Sequence, residues 1–509
     1  MPSHRAPAVL LLPVILAGGV CTSIACSQPL PTFTNSGQAL GNSGSRSIAL
    51  GDLDGDGDLD LWVANSTDFI GEPNTVWFND GNGIFSNSGQ ALGNRFTRAV
   101  ALGDLDGDGD LDALVGNCGR SEPDTVWIND GNGFFTSSGQ AFGASCTEAV
   151  ALGDLDGDGD LDAVFSRFTV SGSDEILANT NDVWLNDGTA TFQDSGQTLG
   201  DRSSRSIGLG DLDGDGDLDA VFANDGSDQP NTVWINDGTG TFTNSGQALG
   251  NSRSNSVALG DLDGDGNLDA VFGNGWSSNS VWMNNGTGAF SQSQAFGAVE
   301  GDCNIRDRRV VLGDMDLDGD LDAIAVTERT RGAPNTLWIN NGTGFEQASW
   351  NFGEARTMTA ALGDLDQDGD LDVVFGNAFG SATMCAPTYP APNTVWFTQP
   401  PGSCCLDENC APISGASIEL CIELGGTFID ATCLVANCGA SESTGACCVA
   451  SGCEPLTQAA CTNLGGTWTE GGSCNDCPTT CPADTNRDGS VDGQDLAAVL
   501  ANWGLPCEE

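Results

Sequence analysis

The sequence has no lysine, a single histidine (His4) and a single tyrosine (Tyr389), so its 16 basic residues are all arginine. His4 sits in the leader described below, and the rest of the chain has neither an imidazole nor an amine side chain. That excludes Schiff-base chemistry, Ser-His-Asp and Cys-His nucleophile pairs, and histidine-ligated zinc. Positive charge is scarce too. The 71 acids leave a net charge of −55, which disfavours nucleic acid and anionic membrane surfaces as partners. Beyond the leader there is no apolar run long enough to span a bilayer.

What the chain has in quantity is aspartate, placed periodically. The stretch GDLDGDGDLD, starting at Gly51, returns six more times in nearly the same form, every 50 to 57 residues. Within each nine-residue loop, acids stand at positions one, three, five and nine, glycine at six, and Asp or Asn at seven. The first copy has Asp52, Asp54, Asp56, Asp58 and Asp60, and the second Asp104, Asp106, Asp108, Asp110 and Asp112. The third has Asp154, Asp156, Asp158, Asp160 and Asp162, and the fourth Asp211, Asp213, Asp215, Asp217 and Asp219. Asp261, Asp263, Asp265, Asn267 and Asp269 make the fifth, and Asp314, Asp316, Asp318, Asp320 and Asp322 the sixth. Asp364, Asp366, Asp368, Asp370 and Asp372 make the seventh.

Several carboxylates converging on one point call for a hard cation, and calcium is the expected ion, about seven in all. An EF-hand would need a carboxylate at position twelve and flanking helices. The first copy has Val63 there, between the strand-like SIAL and LWVAN. A nonapeptide β-roll would repeat every nine residues, which this chain does not.

The rest of the unit reads as strands: SIAL into the loop, LDLWVAN out of it, then NTVWF, the turn NDGNG, and IFSNSGQAL. Four short antiparallel strands per unit, seven units and no helical period predict an all-β fold, a seven-bladed β-propeller over residues 28–400. Trp77, Trp127, Trp184, Trp234, Trp282, Trp338 and Trp396 recur in the third strand and are expected to pack between blades. The seventh unit stops after NTVWF, while the chain opens with PTFTNSGQAL, a fourth strand without its first three. The N-terminal strand is therefore expected to close the last blade.

Six residues before each first aspartate stand Arg46, Arg98, Glu148, Arg205, Asn255, Arg308 and Met358. Arg46, Arg98, Arg205 and Arg308 would ring the central funnel as a site for an acidic sugar or a carboxylate-bearing peptide. The alternative is that each pairs with an acid of a neighbouring blade. The loops opposite the aspartates vary most, and variable loops on a rigid scaffold are where binding is usually carried.

Residues 1–27 carry Arg5, an apolar run from Ala8 to Val20 and the small residues SIACS, and read as a signal peptide. Cys21 and Cys26 raise lipid anchoring, but Ser23 and Ile24 make a poor lipobox. Twenty cysteines fit an exported chain, secreted or held at the cell surface. Cys118 with Cys146 and Cys303 with Cys385 are candidate disulfides. Residues 401–440 and 441–479 are two copies of a six-cysteine module, each sharing LGGT. In the tail, residues 480–509, Asp484, Asn486, Asp488, Ser490, Asp492 and Asp495 take EF-hand positions around Gly489, ahead of the helical LAAVLANW.

The seven loops resemble the FG-GAP and VCBS repeats of integrin α-subunit propellers and of many exported bacterial proteins. The resemblance implies that each loop joins the first two strands of a blade. It also implies calcium held by side chains at positions one, three, five and nine and by the backbone oxygen at seven. The tail resembles one half of a type I dockerin and implies a cohesin-like partner, although that family has two such loops and Glu where this chain has Asp495. The function expected is non-catalytic adhesion or recognition of a glycan or protein. The alternatives are a polysaccharide lyase or hydrolase on the same scaffold, and a purely structural extracellular or envelope protein.

Overall fold

The computed structural model describes residues 30–399, apart from 68–70, 120–121, 144–145, 169–179, 227, 276, 298–306, 328–333, 351, 354 and 379–391. It also gives the backbone of six short strands between Gly402 and Glu470. The signal peptide, the Cys303 and Cys385 pair, the pairing of the module cysteines and the C-terminal aspartate loop lie outside the described residues.

Seven antiparallel sheets follow one another along the chain. The innermost strands are Ser45–Gly51, Thr97–Gly103, Cys146–Gly153, Ser204–Gly210, Ser254–Gly260, Asp307–Gly313 and Thr357–Gly363. Each touches the innermost strand of the next sheet, and the last touches the first, so the sheets are the blades of a seven-bladed propeller. No described residue is helical, and no described helix is long and apolar enough to cross a membrane.

The second strands explain the architecture best. Asp60–Asn65 and the six matching residues of each other blade are buried throughout because neighbouring blades cover both sheet faces. That is why LWVAN and AVFAN read as continuous apolar runs rather than alternating ones. The core is accordingly a ring of layers between blades: Trp62, Ala64 and Val76 of the first blade meet Val100, Ala113 and Phe135 of the second. Full burial of each such large side chain contributes about 1.5–3 kcal/mol. The recurrent tryptophans lie in these layers, Trp77 with Leu40 and Trp234 with Leu199.

Two polar devices repeat at the seams. A glutamine of the fourth strand grips the next blade by both ends of its amide: Gln90 Nε2 donates to Gly133 O at 2.7 Å, and Phe135 N donates to Gln90 Oε1 at 2.9 Å. Gln38, Gln140, Gln197, Gln247 and Gln294 do the same. An asparagine after the third strand reaches back to the preceding blade, as Asn129 Nδ2 does to Leu53 O at 2.8 Å. Asn79, Asn186, Asn236, Asn284 and Asn340 repeat that contact.

The seam between the sixth and seventh blades differs on both counts. Trp350 takes the glutamine's place and packs on Phe33 at 5.5 Å. Thr398 takes the asparagine's place, and its hydroxyl donates to Leu371 O of its own blade. Thr32–Asn35 pairs antiparallel with Thr394–Gln399 as the outermost strand of the seventh sheet, Phe33 opposite Thr398.

The fourth strand departs from the continuous IFSNSGQAL expected of it. In the first blade it is split into Ser86–Asn87 and Leu92–Arg95. Gly89 turns with φ +81° between them, which swings Gln90 out to its grip on the next blade. Beyond residue 401, two three-stranded sheets share one strand order, in keeping with two copies of one module.

Candidate functional sites

Each aspartate loop is tied first to itself. Asp52 accepts hydrogen bonds from Gly55 N at 2.8 Å and Gly57 N at 3.1 Å, and Asp56 accepts from Asp58 N at 3.0 Å. Gly57 has φ +95°, a conformation closed to other residues at low cost, and its six counterparts at position six are glycine as well. Asp60, fully buried, accepts from Leu53 N at 3.0 Å and Asn79 N at 2.8 Å, which joins the loop to the end of the third strand. The same pattern recurs around the ring, through Asp112, Asp162, Asp219, Asp269, Asp322 and Asp372.

These contacts leave part of the negative charge unanswered. The Oδ1 atoms of Asp54, Asp106, Asp156, Asp213 and Asp366, all at position three, are buried and accept no hydrogen bond. Burial first, then the charge of the next acid in the loop, raises the pKa of each of these five carboxyls. Burial also pushes the ninth-position acids up: Asp60, Asp112, Asp162, Asp219 and Asp269 to about 6, and Asp322 and Asp372 to about 7. Carboxylate oxygens of Asp52, Asp54 and Asp60 lie within 4.8 Å of one another, and the sets at Asp154 and Asp211 repeat this. Converging oxygens of one charge, those at position three short of donors, have the chemistry that suits a hard cation.

The opposite face carries the second site. Arg46, Arg98, Glu148, Arg205, Asn255, Arg309 and Met358, one residue from each blade, line an axial funnel. The sequence reading placed Arg308 here. The side chain of Arg308 lies outside the described residues, and its neighbour Arg309 is among the residues that line the funnel.

Acids stand beside two of these arginines. Glu148 stands 3.8 Å from both Arg98 and Arg205, the outer limit of an ion pair. Arg205 also pairs with Asp225 at 2.6 Å and lies over the Phe168 ring at 4.3 Å. Asp225 is shared with Arg253 at 2.7 Å. Arg98 Nε is buried and donates to nothing. The free space on the axis is about 30 Å³, room for a water or two or for one small anionic head group and too small for a sugar ring.

Sequence reasoning missed a third group. Where other blades end the second strand with Asn or Thr, the third has Arg167, and where other blades begin the third strand with Asn, the second has Asp124. The two departures meet: Arg167 NH1 lies 2.6 Å from Asp124 Oδ2, with both side chains buried. Asp182 holds the other side of the guanidinium at 2.6 and 2.7 Å. Burial works against this cation, but Asp182 and Asp124 outweigh it and hold its pKa above the ordinary arginine value. The disulfide between Cys118 and Cys146 crosses the same seam. A blade-by-blade alignment of the repeats would have exposed the exchange.

Five copies of an FG-GAP-like repeat model match the chain, over residues 52–115, 104–165, 211–272, 261–325 and 314–375. No curated protein sequence matches it. Among solved structures it is similar to the crystal structure of BBS1N in complex with ARL6DN soaked with mercury. That match has 10% identity and a TM-score of 0.46, covering 73% of this chain and 97% of that one. The same complex soaked with lead matches at 10% identity, with a TM-score of 0.45 and the same coverage. With repeats matched over more than half of its length and arranged as blades of one propeller, the chain belongs to the FG-GAP-like repeat family.

Proposed function

We propose that this chain is an exported, calcium-stabilised, non-catalytic propeller that recognises an anionic group on a glycan or protein, in adhesion or ligand capture. The axial ring carries the recognition part. In a chain with 16 basic residues and 71 acids, four arginines line one narrow funnel, and the buried Nε of Arg98 donates to nothing there. Guanidinium groups gathered on one axis repel one another, and an anion seated between them turns that repulsion into attraction. The small free volume assigns to the funnel only a carboxylate or sulfate head, with the remainder of the ligand lying across the variable loops.

The buried, donor-less oxygens of the loops support calcium. The acids at positions one, three, five and nine and the backbone oxygen at seven would hold an ion in each blade. A bound cation supplies the countercharge that the loops lack. The C-terminal set from Asp484 to Asp495 is proposed as one further site, and the leader and cysteine content support export. We also infer that Thr32–Asn35 closes the ring.

The test is binding of the full chain, in calcium, to sulfated, carboxylated and neutral polysaccharides. Saturable binding to an acidic polymer, lost in Arg98→Gln and Arg205→Gln variants that keep the wild-type thermal midpoint, supports the reading. Equal binding of neutral and acidic polymers, or binding indifferent to both substitutions, refutes the axial site. The calcium part is tested separately: chelation should lower the thermal midpoint of the wild-type chain, since an ion bound only by the folded form raises its stability.

A further inference from the structure

Between the third and fourth blades, on the face opposite the aspartate loops, lies a cleft of about 280 Å³. This is just below the range of ordinary ligand pockets, roughly 300–1,000 Å³, and suits a ligand of one ring. Trp234 lines it, and Gly200 lies against the indole, where a Cβ would sit 3.6 Å from the ring. Asp201 and Arg202, in the connection between the two blades, form one wall, and Thr232 and Asn244 contribute to the other.

A comparison within the repeat marks this cleft out. Arg95 occupies the place of Arg202 one repeat pair earlier, and there its NH1 donates to the Pro123 carbonyl at 3.3 Å. Pro230 is the counterpart of Pro123 and lines the cleft; each carbonyl accepts from an asparagine at 2.8 Å, Asn117 or Asn224, but Arg202 adds no contact like that of Arg95. Among the described residues neither Arg202 nor the exposed Asp201 has a hydrogen-bonding or ionic side-chain partner. A guanidinium and a carboxylate thus stand unengaged beside an indole, at the edge of a cleft that the equivalent arginine spans elsewhere.

We propose that this cleft binds a single pyranose ring. The indole accommodates the C–H face of a sugar. The adjacent acid and base accept from and donate to its neighbouring hydroxyls, and the remaining polar side chains of the lining, one hydroxyl and four amides, are neutral. A ligand of one charge would satisfy either Asp201 or Arg202 and repel the other.

The full chain, in calcium, is titrated with a panel of neutral monosaccharides, with the open-chain polyol mannitol and with free amino acids, by ligand-detected NMR and calorimetry. At least one pyranose should bind saturably, and mannitol should not. Arg202→Gln and Asp201→Asn should each weaken binding about tenfold. Arg95→Gln and Arg98→Gln should leave the affinity unchanged, which separates this cleft from the axial funnel. Neither Asp201 nor Arg202 supports a neighbouring side chain, so these variants fold as the wild type does. The proposal is overturned if no pyranose binds the folded chain, if binding ignores Arg202→Gln, or if amino acids bind in place of sugars.

Discussion

At position four of the aspartate loop the backbone is left-handed in all seven copies. Five copies meet this with glycine and two do not: Leu317 has φ +60° and Gln367 φ +61°. Gln367 gains from its position, since its amide donates to Asp58 across the seam to the first blade. Leu317 is half exposed and has no such partner. Leu317→Gly should therefore stabilise the sixth blade by about 1 kcal/mol, read as a rise in denaturation midpoint at unchanged m-value. A fall in the midpoint would show that the leucine is held by contacts worth more than the backbone strain.

The Asp124 and Arg167 exchange permits a sharper test. Arg167→Asn alone strands a buried carboxylate and should destabilise by about 3–5 kcal/mol. Adding Asp124→Asn restores the asparagine found at both places in most other blades and should recover most of that loss. If the double variant is as unstable as the single, the pair does more than replace an asparagine contact.

At the scale of the element, the loop and the strands on either side of it were legible in the sequence because their chemistry is local. Carboxylates at fixed spacing, a glycine where φ is positive, and an apolar run buried on both faces each leave a mark that one repeat displays in full. What was not legible depends on the neighbouring blade. The grip of Gln90 at the break in the first blade's fourth strand has its partner some 40 residues away in sequence.

The loops also give a pH dependence. Without metal, the ninth-position acids have folded pKa values near 6 to 7, above the ordinary carboxylate value near 4. A raised value means that protonation favours the folded form. This contribution is complete below about pH 4 and is lost as the pH climbs through 6 to 7. The thermal midpoint in chelator should therefore fall between pH 4 and pH 8, and calcium, which needs the ionised acids, should raise it progressively more over that interval. A midpoint that climbs with pH in chelator would contradict the burial of these acids.

Across the whole molecule, stability is shared among seams. The N-terminal strand contributes Phe33 to the last core layer and, through Gln38, the polar grip on the first blade. Deleting residues 28–40 should lower the midpoint of a single unfolding transition of the propeller by more than 10 °C, without producing a separate early transition for one blade. Two resolved transitions would show that the blades melt independently.

The seam between the sixth and seventh blades lacks both the glutamine grip and the asparagine staple, and aromatic contact takes over from them: Phe33 meets Trp350 and Phe352. Apolar contact has a temperature dependence that hydrogen bonds do not share, because its driving force fades on cooling. Six seams of this ring back their apolar layer with those two hydrogen-bonded contacts, and this one leans further on the behaviour of water. As the solution is chilled, that one weakens first, and the closed ring acquires a definite place at which to part.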